Sequence, residues 1–524
     1  MTQSNPATKL KPSDYADALG TSYAIAMSQE HKKLQGQFFT PVSIASFMAG
    51  LSDFQGKRIS ILDPGCGSAV LSCALVEQLI VSNVQLEQIT LVVYENDLQL
   101  IETTEQSLTY LKEWAASKMI HLDVKIIKED FILCNADQLK SQQGLFESPA
   151  NLFDIVISNP PYFKLSIEDK RAVAGKDIIN GHPNIYALFM ALAAKLLKPG
   201  GELIFITPRS FASGGYFKLF RKFFFNLIEL AHLHLFVSRK DTFSRDKVLQ
   251  ETLIMKGIRK DRIDLEKEVT VSTSSGLKDL EYPETRLFPL KDIINVSSGE
   301  GILFLPTSDF DESILEIFKA WKGSLAAYQI KVSTGPVVAF RAKDLIQEET
   351  PENIIESAPL LWLHNVKQMA LEYPVFKPGK GQYILVKPQS ASILLPNKDY
   401  ILLRRFSSKD DKARLIATPY FSRDFDAPYI GIENKVNYFY RPNGVLQESE
   451  IFGLAALLNS SLFDAYFRIF NGNVNVSATE LRNIPLPPLE DIIAIGQAIA
   501  EQSDLSMENT QRIVEHYFES MIMA

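Results

Sequence analysis

Residues 158–163, Ser-Asn-Pro-Pro-Tyr-Phe, carry the clearest chemical signal in the sequence. Pro160 and Pro161 fix the backbone dihedrals and remove two amide donors. What remains is a rigid pair of acceptors, the side-chain oxygen of Asn159 and the carbonyl of Pro160, beside the aromatic ring of Tyr162. Such a site suits a planar amino group whose two protons need acceptors. We therefore predict Asn159, Pro160 and Tyr162 as catalytic residues that act by positioning and electrostatics.

The chemistry that fits these acceptors is transfer of a methyl group to nitrogen. The nitrogen of an adenine or amide NH2 is a weak nucleophile because its lone pair is delocalised. Two hydrogen bonds accepted from its protons favour a pyramidal nitrogen with more electron density, and a methyl sulfonium placed in line could then transfer its methyl group. The alternative is that residues 158–163 form only a turn stiffened by the two prolines, as most Asn-Pro and Pro-Pro dipeptides do.

A glycine-containing turn directly follows a predicted strand at Asp63-Pro64-Gly65-Cys66-Gly67-Ser68. Glycines in such a turn let the backbone approach a ligand closely, at the strand ends where doubly wound sheets bind ligands. Glu95 ends the next strand and suits ribose hydroxyls, and Asp130-Phe131 follows the third, where a carboxylate and a ring suit an adenine. The predicted cofactor-binding residues are therefore Asp63, Gly65, Gly67, Glu95, Asp130 and Phe131. A tight turn without a ligand is the alternative, because the loop lacks the full dinucleotide fingerprint.

The elements that must position these residues form an alternating pattern. Helical stretches separate five short β-rich runs at 59–62, 89–94, 124–127, 153–158 and 201–207. This rhythm predicts an α/β fold with a doubly wound, Rossmann-like parallel sheet covered by helices on both faces. Two further runs, 230–236 and 249–258, lie too close in sequence for a crossover helix, so we predict an antiparallel hairpin at the sheet edge.

The length of 524 residues predicts two or three domains at about 100–200 residues each. Hydrophobic residues make up 46% and charged residues 22%, which is typical of globular proteins and excludes a disordered or fibrous chain. The charged run 259–269 favours a linker at 259–289 between a catalytic domain at 1–258 and an α+β domain at 290–524. A single C-terminal helix is predicted at 492–518.

The formal net charge of −8 argues against a protein that coats nucleic acid without specificity. Two segments nevertheless are basic: residues 209–260 have eleven basic and four acidic residues, and residues 377–441 have twelve and six. Both segments fit a cleft for phosphates. Arg404 and Arg405 are the predicted DNA contacts, and an ordinary solvated face is the alternative.

Three cysteines, Cys66, Cys73 and Cys134, show neither disulfide nor metal-ligand spacing, so we predict no metal site. None of them lies in a predicted catalytic loop, which disfavours cytosine C5 methylation. The first residues lack the apolar core of a signal peptide, and no apolar run is long enough to span a membrane. We therefore expect a soluble, cytoplasmic protein.

The glycine turn and the Asn-Pro-Pro-Tyr segment resemble those of the N6-adenine DNA methyltransferases that use S-adenosylmethionine. Their order, followed by a large C-terminal domain, is similar to the gamma class of type II restriction-modification systems. Residues 36–41 resemble the family segment that wraps the methionine end of the cofactor, which implies that Phe39 and Thr40 bind S-adenosylmethionine. Phe243 lies in a segment similar to one whose aromatic packs on a flipped adenine, opposite Tyr162. The recognition half of the family resembles residues 402–417, 457–470 and 476–487.

The resemblance implies methyl transfer from S-adenosylmethionine to N6 of a flipped adenine within a specific double-stranded DNA sequence. It also implies a target-recognition domain at 290–524 and a cognate restriction endonuclease as a functional partner, without implying contact; we expect a monomer. Three alternatives stay open: an RNA adenine methyltransferase, a protein glutamine N-methyltransferase, and a non-catalytic DNA-binding specificity protein. The intact Asn159 and Tyr162 argue against the last of these.

Overall fold

The computed structural model divides the chain into two compact units, each with its own sheets. It describes residues 10–28, 39–139, 152–179, 181, 183–236, 252–295, 299–348, 356–407, 411–471, 475–502 and 504–522. The first unit comprises residues 1–212 and 216–307, and the second comprises residues 213–215 and 308–524. The division therefore falls at residue 307, after the predicted linker.

Nine strands of the first unit form one sheet. They are β1 Arg58–Asp63, β2 Gln88–Tyr94, β3 His121–Ile127, β4 Phe153–Ser158, β5 Leu197–Pro208, β6 Ile228–Phe236, β7 Thr252–Arg259, β8 Glu268–Ser274 and β9 Glu284–Pro289. Their spatial order is β3-β2-β1-β4-β5-β7-β6-β8-β9. The first five strands in this order, from β3 to β5, pair in parallel, as the α/β prediction requires. From β1 the chain moves across the sheet in one direction to β2 and β3, and then in the other direction to β4 and β5. The carboxyl ends of β1 and β4 therefore flank the crevice where doubly wound sheets bind ligands.

Helices cover both faces of this sheet, and two shorter strands complete the unit. The helices are α1 Pro12–Ala26, α2 Val42–Gly50, α3 Val70–Ser82, α4 Ile101–Ser117, α5 Phe131–Cys134, α6 Lys170–Ala174, α7 Ile185–Leu196, α8 Lys218–Phe225 and α9 Leu290–Ile293, and the strands are β10 Ile294–Asn295 and β11 Ile302–Leu303. Side chains alternate along the central strands: Ile204 and Ile206 enter one core, and Leu203 and Phe205 enter the other. Two-sided burial explains why these strands read as continuous apolar runs.

The segment predicted as a linker, 259–289, is wrong in that role. Most of it forms β8 and β9, and β8 pairs in parallel with β6. The charged residues that suggested a linker lie mainly in the connection between β7 and β8, where they reach solvent. Consequently the hairpin of β6 and β7, whose antiparallel pairing is confirmed, lies inside the sheet, and β9 forms the edge.

In its described residues, the second unit contains two smaller sheets and six α-helices. Its strands are β12 Lys331–Thr334, β13 Ile346–Gln347, β14 Ser357–Leu361, β15 Tyr383–Leu385, β16 Leu394–Pro396, β17 Tyr400–Arg404, β18 Ala417–Tyr420, β19 Tyr429–Ile432 and β20 Val436–Tyr440. They are ordered β12-β20-β17-β18 and β13-β15-β14-β19-β16. The helices are α10 Asp309–Ala320, α11 Glu448–Asn459, α12 Ser461–Phe470, α13 Ala478–Arg482, α14 Leu489–Ala500 and α15 Met507–Ile522.

The predicted C-terminal helix at 492–518 is wrong as a single element, because α14 ends at Ala500 and α15 begins at Met507. Gly453 on α11 and Gly496 on α14 explain why α14 stays packed on α11. A Cβ atom at Gly453 would lie 2.0 Å from the Ile492 carbonyl oxygen, and one at Gly496 would lie 1.7 Å from the Ser449 carbonyl oxygen. Only glycines allow this close approach of the two backbones.

Short 3-10 helices occur at Ala136–Leu139, Arg209–Ala212, Gly215–Phe217, Lys343–Leu345, Leu363–Asn365, Pro388–Ser390 and Ser422–Asp424. Across the described ranges, none of the helices combines the length and apolar character that crossing a membrane would require.

Candidate functional site

The turn between β1 and α3 uses backbone conformations that bring main-chain groups to a cleft. Gly67 has a φ of +57°, and a Cβ atom at Gly65 would lie 3.4 Å from Cε1 of Phe189. The Thr104 hydroxyl donates to the Gly67 carbonyl oxygen at 2.7 Å, which holds the loop against α4. The left-handed φ explains glycine at position 67, because other residues are strained there.

Glu95, at the end of β2, is held by the same loop. Its Oε2 accepts from the Gly67 backbone N–H at 3.0 Å, and its Oε1 accepts from the Asp97 N–H at 2.8 Å. Burial raises the pKa of this carboxyl above its usual value, whereas the two backbone donors favour the charged form. Each oxygen retains acceptor capacity for a hydroxyl group in the cleft.

Asp63 lies beneath the loop and does not line the cleft. It is fully buried, and its Oδ2 accepts from the Ser72 hydroxyl at 2.7 Å. Burial raises the pKa of Asp63 to about 7. The structure therefore places this predicted cofactor residue where it supports the turn from below.

Asp130 begins the short helix α5 and faces a cation that sequence analysis missed. Its Oδ1 caps the helix by accepting from the Leu133 N–H at 2.9 Å, and its Oδ2 lies 3.5 Å from a terminal nitrogen of Arg171. Asp169 holds that guanidinium through bonds of 2.6 and 2.9 Å. The guanidinium also lies 5.5 Å from the centre of the Phe163 ring. Arg171 thus reaches the cleft although it lies in a helix with no recognisable motif.

Asn159 follows β4 and is bonded on both sides of its amide group. Its Nδ2 donates to the Thr40 hydroxyl oxygen at 3.0 Å. The Tyr162 hydroxyl lies within donating distance of two acceptors, Asn159 Oδ1 at 2.5 Å and the Ile206 carbonyl oxygen at 2.9 Å. Because a hydroxyl has one proton, it donates to one of them at a time. Burial raises the pKa of Tyr162 well above its usual value, so the hydroxyl keeps that proton.

These elements line an open cleft of about 100 Å³ within the first unit. The predicted site residues that line it are Phe39, Gly65, Gly67, Glu95, Asp130, Phe131 and Asn159. Thr40 and Tyr162 contact Asn159 from behind, and Tyr162 is only 8% exposed. The further lining residues that sequence analysis did not select include Tyr94, Pro161, Phe163, Arg171, Ile185 and Phe189.

Two predicted nucleic-acid contacts belong to the second unit. Arg404 Nε donates to the Val366 carbonyl oxygen at 2.7 Å, and burial lowers the pKa of this guanidinium. Arg405 donates to the Asn434 carbonyl oxygen at 3.0 Å. Phe243, the predicted second stacking residue, lies outside the described residues.

Comparison with known proteins agrees with the chemistry of the cleft. A family model described as Eco57I restriction-modification methylase matches residues 80–243. Type II methyltransferase M.BsuBI of Bacillus subtilis is 33% identical over 475 residues, covering 90% of this chain and 91% of the relative. Type II methyltransferase M.PstI of Providencia stuartii is 31% identical over 483 residues, covering 92% and 91%. The chain belongs to the type II methyltransferases.

Among solved structures, the type IIG restriction endonuclease BpuSI aligns with a TM-score of 0.46 at 14% identity, covering 97% of this chain and 68% of that one. The described part of this type II methyltransferase shows no group of three His, Cys, Asp or Glu side chains arranged to hold a metal ion. The cleft is lined by main-chain groups, carboxylates, an amide, a guanidinium and aromatic rings.

Proposed function

We propose that this type II methyltransferase transfers a methyl group from S-adenosylmethionine to N6 of adenine in a specific double-stranded DNA sequence. The observation that supports the proposal most directly is the position of Asn159. Its side chain lines the same cleft as the Gly65–Gly67 turn and Glu95, so a cofactor and a target amine can meet there. The Asn-Pro-Pro-Tyr order and the C-terminal unit support the gamma class.

The lining residues fit S-adenosylmethionine by their chemistry. Glu95 offers carboxylate oxygens to ribose hydroxyls, and Asp130 Oδ2 offers an acceptor to an adenine amine. Phe131 and Phe189, whose ring centres lie 5.2 Å apart, supply apolar surface beside it. Glycine at position 67 keeps the main chain free of a side chain where the ligand would lie. When bound, this cofactor supplies an electrophilic methyl group attached to a sulfonium.

Asn159 and Pro160 have the acceptors for the target amine. Thr40 orients the amide because its oxygen accepts from Nδ2, which turns Oδ1 away from Thr40. When the Tyr162 proton is donated to the Ile206 carbonyl oxygen, that proton no longer competes with the target nitrogen for Asn159 Oδ1. As the carbon–nitrogen bond forms, the carbon–sulfur bond breaks and N6 releases one proton. Neither acceptor titrates near neutral pH, so that proton passes to solvent.

Stacking of the target base between Tyr162 and Phe243 stays a prediction. The Tyr162 ring is buried here, so stacking requires the ring to become accessible when a base enters. Extrusion of a base from a duplex costs a few kcal/mol. A stacked aromatic face returns about 1–3 kcal/mol per base. The two quantities are similar, so stacking could offset extrusion.

Protection of DNA from a cognate restriction endonuclease is the proposed biological role. The matching family model is described as a restriction-modification methylase, and the relatives are named type II methyltransferases. A methylated recognition sequence would then resist the nuclease partner without any contact between the two proteins.

The test is transfer of a labelled methyl group from S-adenosylmethionine to unmethylated duplex DNA, to RNA and to a glutamine-containing peptide. Asn159→Ala should lower the rate on DNA by about 10²–10³-fold, the effect of removing one preorganised polar group from a transition state. Binding of S-adenosylmethionine should persist in that variant. Asn226→Ala, at an exposed helix end, is the matched control and should retain full activity.

Two results would overturn the proposal. Full activity of Asn159→Ala would remove the catalytic assignment, and preferred methylation of RNA or of the peptide would remove the substrate assignment. Expression in a host that lacks DNA methylation, followed by modification-sensitive sequencing, would then identify the methylated sequence.

A further inference from the structure

We infer that one end of the second unit, centred on the turn Phe376–Lys380, is the surface that binds duplex DNA. In this inference, which rests on the proposed function, Lys377 and Lys380 contact phosphates and Phe376 contacts bases. Residues Phe376 to Lys380 are called the KPGK turn below.

The KPGK turn is a rigid and exposed projection. The Lys380 N–H donates to the Lys377 carbonyl oxygen at 3.0 Å, Pro378 follows Lys377, and Gly379 has a φ of +69°. These are the features of a type II turn, in which proline and glycine occupy the two central positions. A Cβ atom at Gly379 would have no neighbour within 4 Å, and Phe376 is 58% exposed. The turn therefore presents an exposed aromatic ring next to two lysines.

The base of the turn is anchored in the core of the unit. The Trp362 indole N–H donates to the Gly381 carbonyl oxygen at 2.7 Å. The Lys380 ammonium lies 4.5 Å from the centre of the Trp362 ring, a cation–π contact. Tyr373 donates to the Gln382 carbonyl oxygen at 2.6 Å on the other side. A turn held in this way loses little conformational freedom when it binds a partner.

Strand directions bring further cations to the same end. Strand β14 ends where β15 begins, since Pro359 pairs with Tyr383. Strand β17 ends where β20 begins, since Arg404 pairs with Val436. Lys435 precedes β20 at that end. The strands therefore collect basic residues that are separated by up to about 60 positions in the sequence, at Lys377, Lys380, Arg404, Arg405 and Lys435.

The pKa values of His364 and Glu433 agree with a gathering of cations at this end of the unit. Burial lowers the pKa of His364, and the charges of Lys377, Lys380 and Lys367 lower it further. Burial raises the pKa of Glu433, and Lys435, Lys380 and Arg405 oppose that effect. The charge of Lys380 therefore acts on both groups, and each group is also affected by cations of its own neighbourhood.

The lysines of this surface differ from Arg423 and Arg441 of the same unit. Arg423 and Arg441 form ion pairs with Glu448 and Glu450 at 2.6 and 2.7 Å. In the described portion of the chain, no carboxylate lies within ion-pair distance of the ammonium groups of Lys377, Lys380 or Lys435. Cations that share one surface and lack carboxylate partners are typical of a surface that binds the phosphate backbone of a nucleic acid.

Arg404 and Arg405 have a supporting part in this arrangement. Each donates to a backbone carbonyl oxygen of a neighbouring loop, that of Val366 or Asn434. The loops that hold the exposed lysines are thereby fixed to β17. We accordingly assign the exposed contacts to the KPGK turn and Lys435.

The test measures the affinity of the full chain for a duplex that contains the sequence that the enzyme methylates. The affinity is measured as a function of salt concentration. Lys377→Gln combined with Lys380→Gln should weaken binding by about fivefold per lysine at physiological salt. The slope of log affinity against log salt should fall by about 0.9 for each lysine. Lys398→Gln, at the opposite end of β17 in the same unit, should change neither quantity.

Phe376→Ala separates base contact from phosphate contact. It should reduce the preference for the methylated sequence over unrelated DNA by about tenfold and leave the salt slope unchanged, because an apolar ring neutralises no phosphate. Lys435→Gln, an exposed residue outside the turn, provides an independent variant if changes in the KPGK turn lower the melting temperature.

The outcomes distinguish this inference from the proposed function. If the wild type methylates DNA but the lysine variants keep its affinity and salt slope, the DNA surface is misplaced and the function stands. If the wild type neither binds nor methylates DNA, the proposed function fails and this inference fails with it. Lysine-dependent binding that prefers an RNA duplex of the same sequence would overturn DNA as the partner.

Discussion

Thr40→Val isolates the hydrogen bond that orients the amide of Asn159. The Thr40 hydroxyl oxygen, buried in the first unit, accepts from Asn159 Nδ2 at 3.0 Å, and valine has nearly the same shape without that acceptor. The pair is partly buried, and a net hydrogen bond of this kind contributes about 0.5–1.5 kcal/mol. Since about 1.36 kcal/mol corresponds to tenfold in rate, loss of this orienting energy should lower kcat by about 2- to 12-fold.

The Tyr162 hydroxyl limits the effect because it also contacts Asn159 Oδ1. We therefore expect the single variant Thr40→Val to fall near the lower end of that range. Thr40→Val combined with Tyr162→Phe should cost more than the two single effects together, because either contact alone can still orient the amide.

The assay is single-turnover methyl transfer with saturating DNA and S-adenosylmethionine, alongside the dissociation constant of the cofactor and the melting temperature. Thr207→Val is the matched control, because Thr207 is a buried threonine of the same unit whose hydroxyl has no hydrogen-bond partner among the residues that the structure describes. It should leave the rate unchanged. If Thr40→Val reacts within twofold of the wild type while Asn159→Ala is inactive, the orienting role is refuted. An increased cofactor dissociation constant with an unchanged saturated rate would instead support Thr40 as a direct cofactor ligand.

Three further predictions concern the same unit. Tyr162→Phe should lower kcat by about 2- to 10-fold, since a net hydrogen bond contributes about 0.5–1.5 kcal/mol, as checked by the same single-turnover assay. Arg171→Gln should raise the cofactor dissociation constant by about two- to fivefold with little change in kcat, since its partly exposed pair with Asp130 contributes about 0.2–1 kcal/mol; calorimetry measures this. Burial lowers the pKa of His232 to about 4 and that of His234 to about 3, so both are neutral in the folded protein well below pH 6.5. Unfolding then takes up protons, and the free energy of unfolding should fall by up to about 1.4 kcal/mol per pH unit per histidine as the pH drops from 6.5 towards 4, as measured by denaturant titration.

Each of these predictions has a result that contradicts it. Wild-type kcat in Tyr162→Phe would leave only ring stacking for that residue. An unchanged cofactor affinity in Arg171→Gln would mean that the guanidinium only supports α6. A pH dependence between 6.5 and 4 that is the same in the wild type and in His234→Gln would show that other groups cause the acid sensitivity.

The residues that line the cleft were predictable wherever they occupy strand ends. Gly65, Gly67, Glu95 and Asn159 follow successive parallel strands, and such strands present their carboxyl ends at one edge of a sheet. The ring of Tyr162 was not predictable in the same way. A motif predicts that a tyrosine is present, but it does not predict what the hydroxyl contacts. The packing of β5 beneath Tyr162 determines that its hydroxyl contacts Ile206.

Two errors in the predicted fold have a common cause. The run 259–269 is rich in charge, yet β8 begins within it at Glu268, is otherwise buried or half-buried, and joins the sheet through β6. The predicted helix at 492–518 is periodic throughout, yet residues 501–506 separate α14 from α15. Composition and periodicity describe a window of the chain, whereas pairing partners and helix ends depend on what the window packs against.

The sequence by itself determined the fold class, the edge of the sheet that carries the cleft, and the chemistry of the Asn-Pro-Pro-Tyr acceptors. Glycine, proline and alternating apolar residues act on their own backbone, so their effects can be read locally. Only the tertiary structure decided that Thr40 bonds to Asn159 across 119 positions, and that Arg171 reaches the cleft. It also decided that Lys435, just before β20, lies at the same end of the second unit as the KPGK turn. These contacts join residues far apart in the chain, and packing alone brings such residues together.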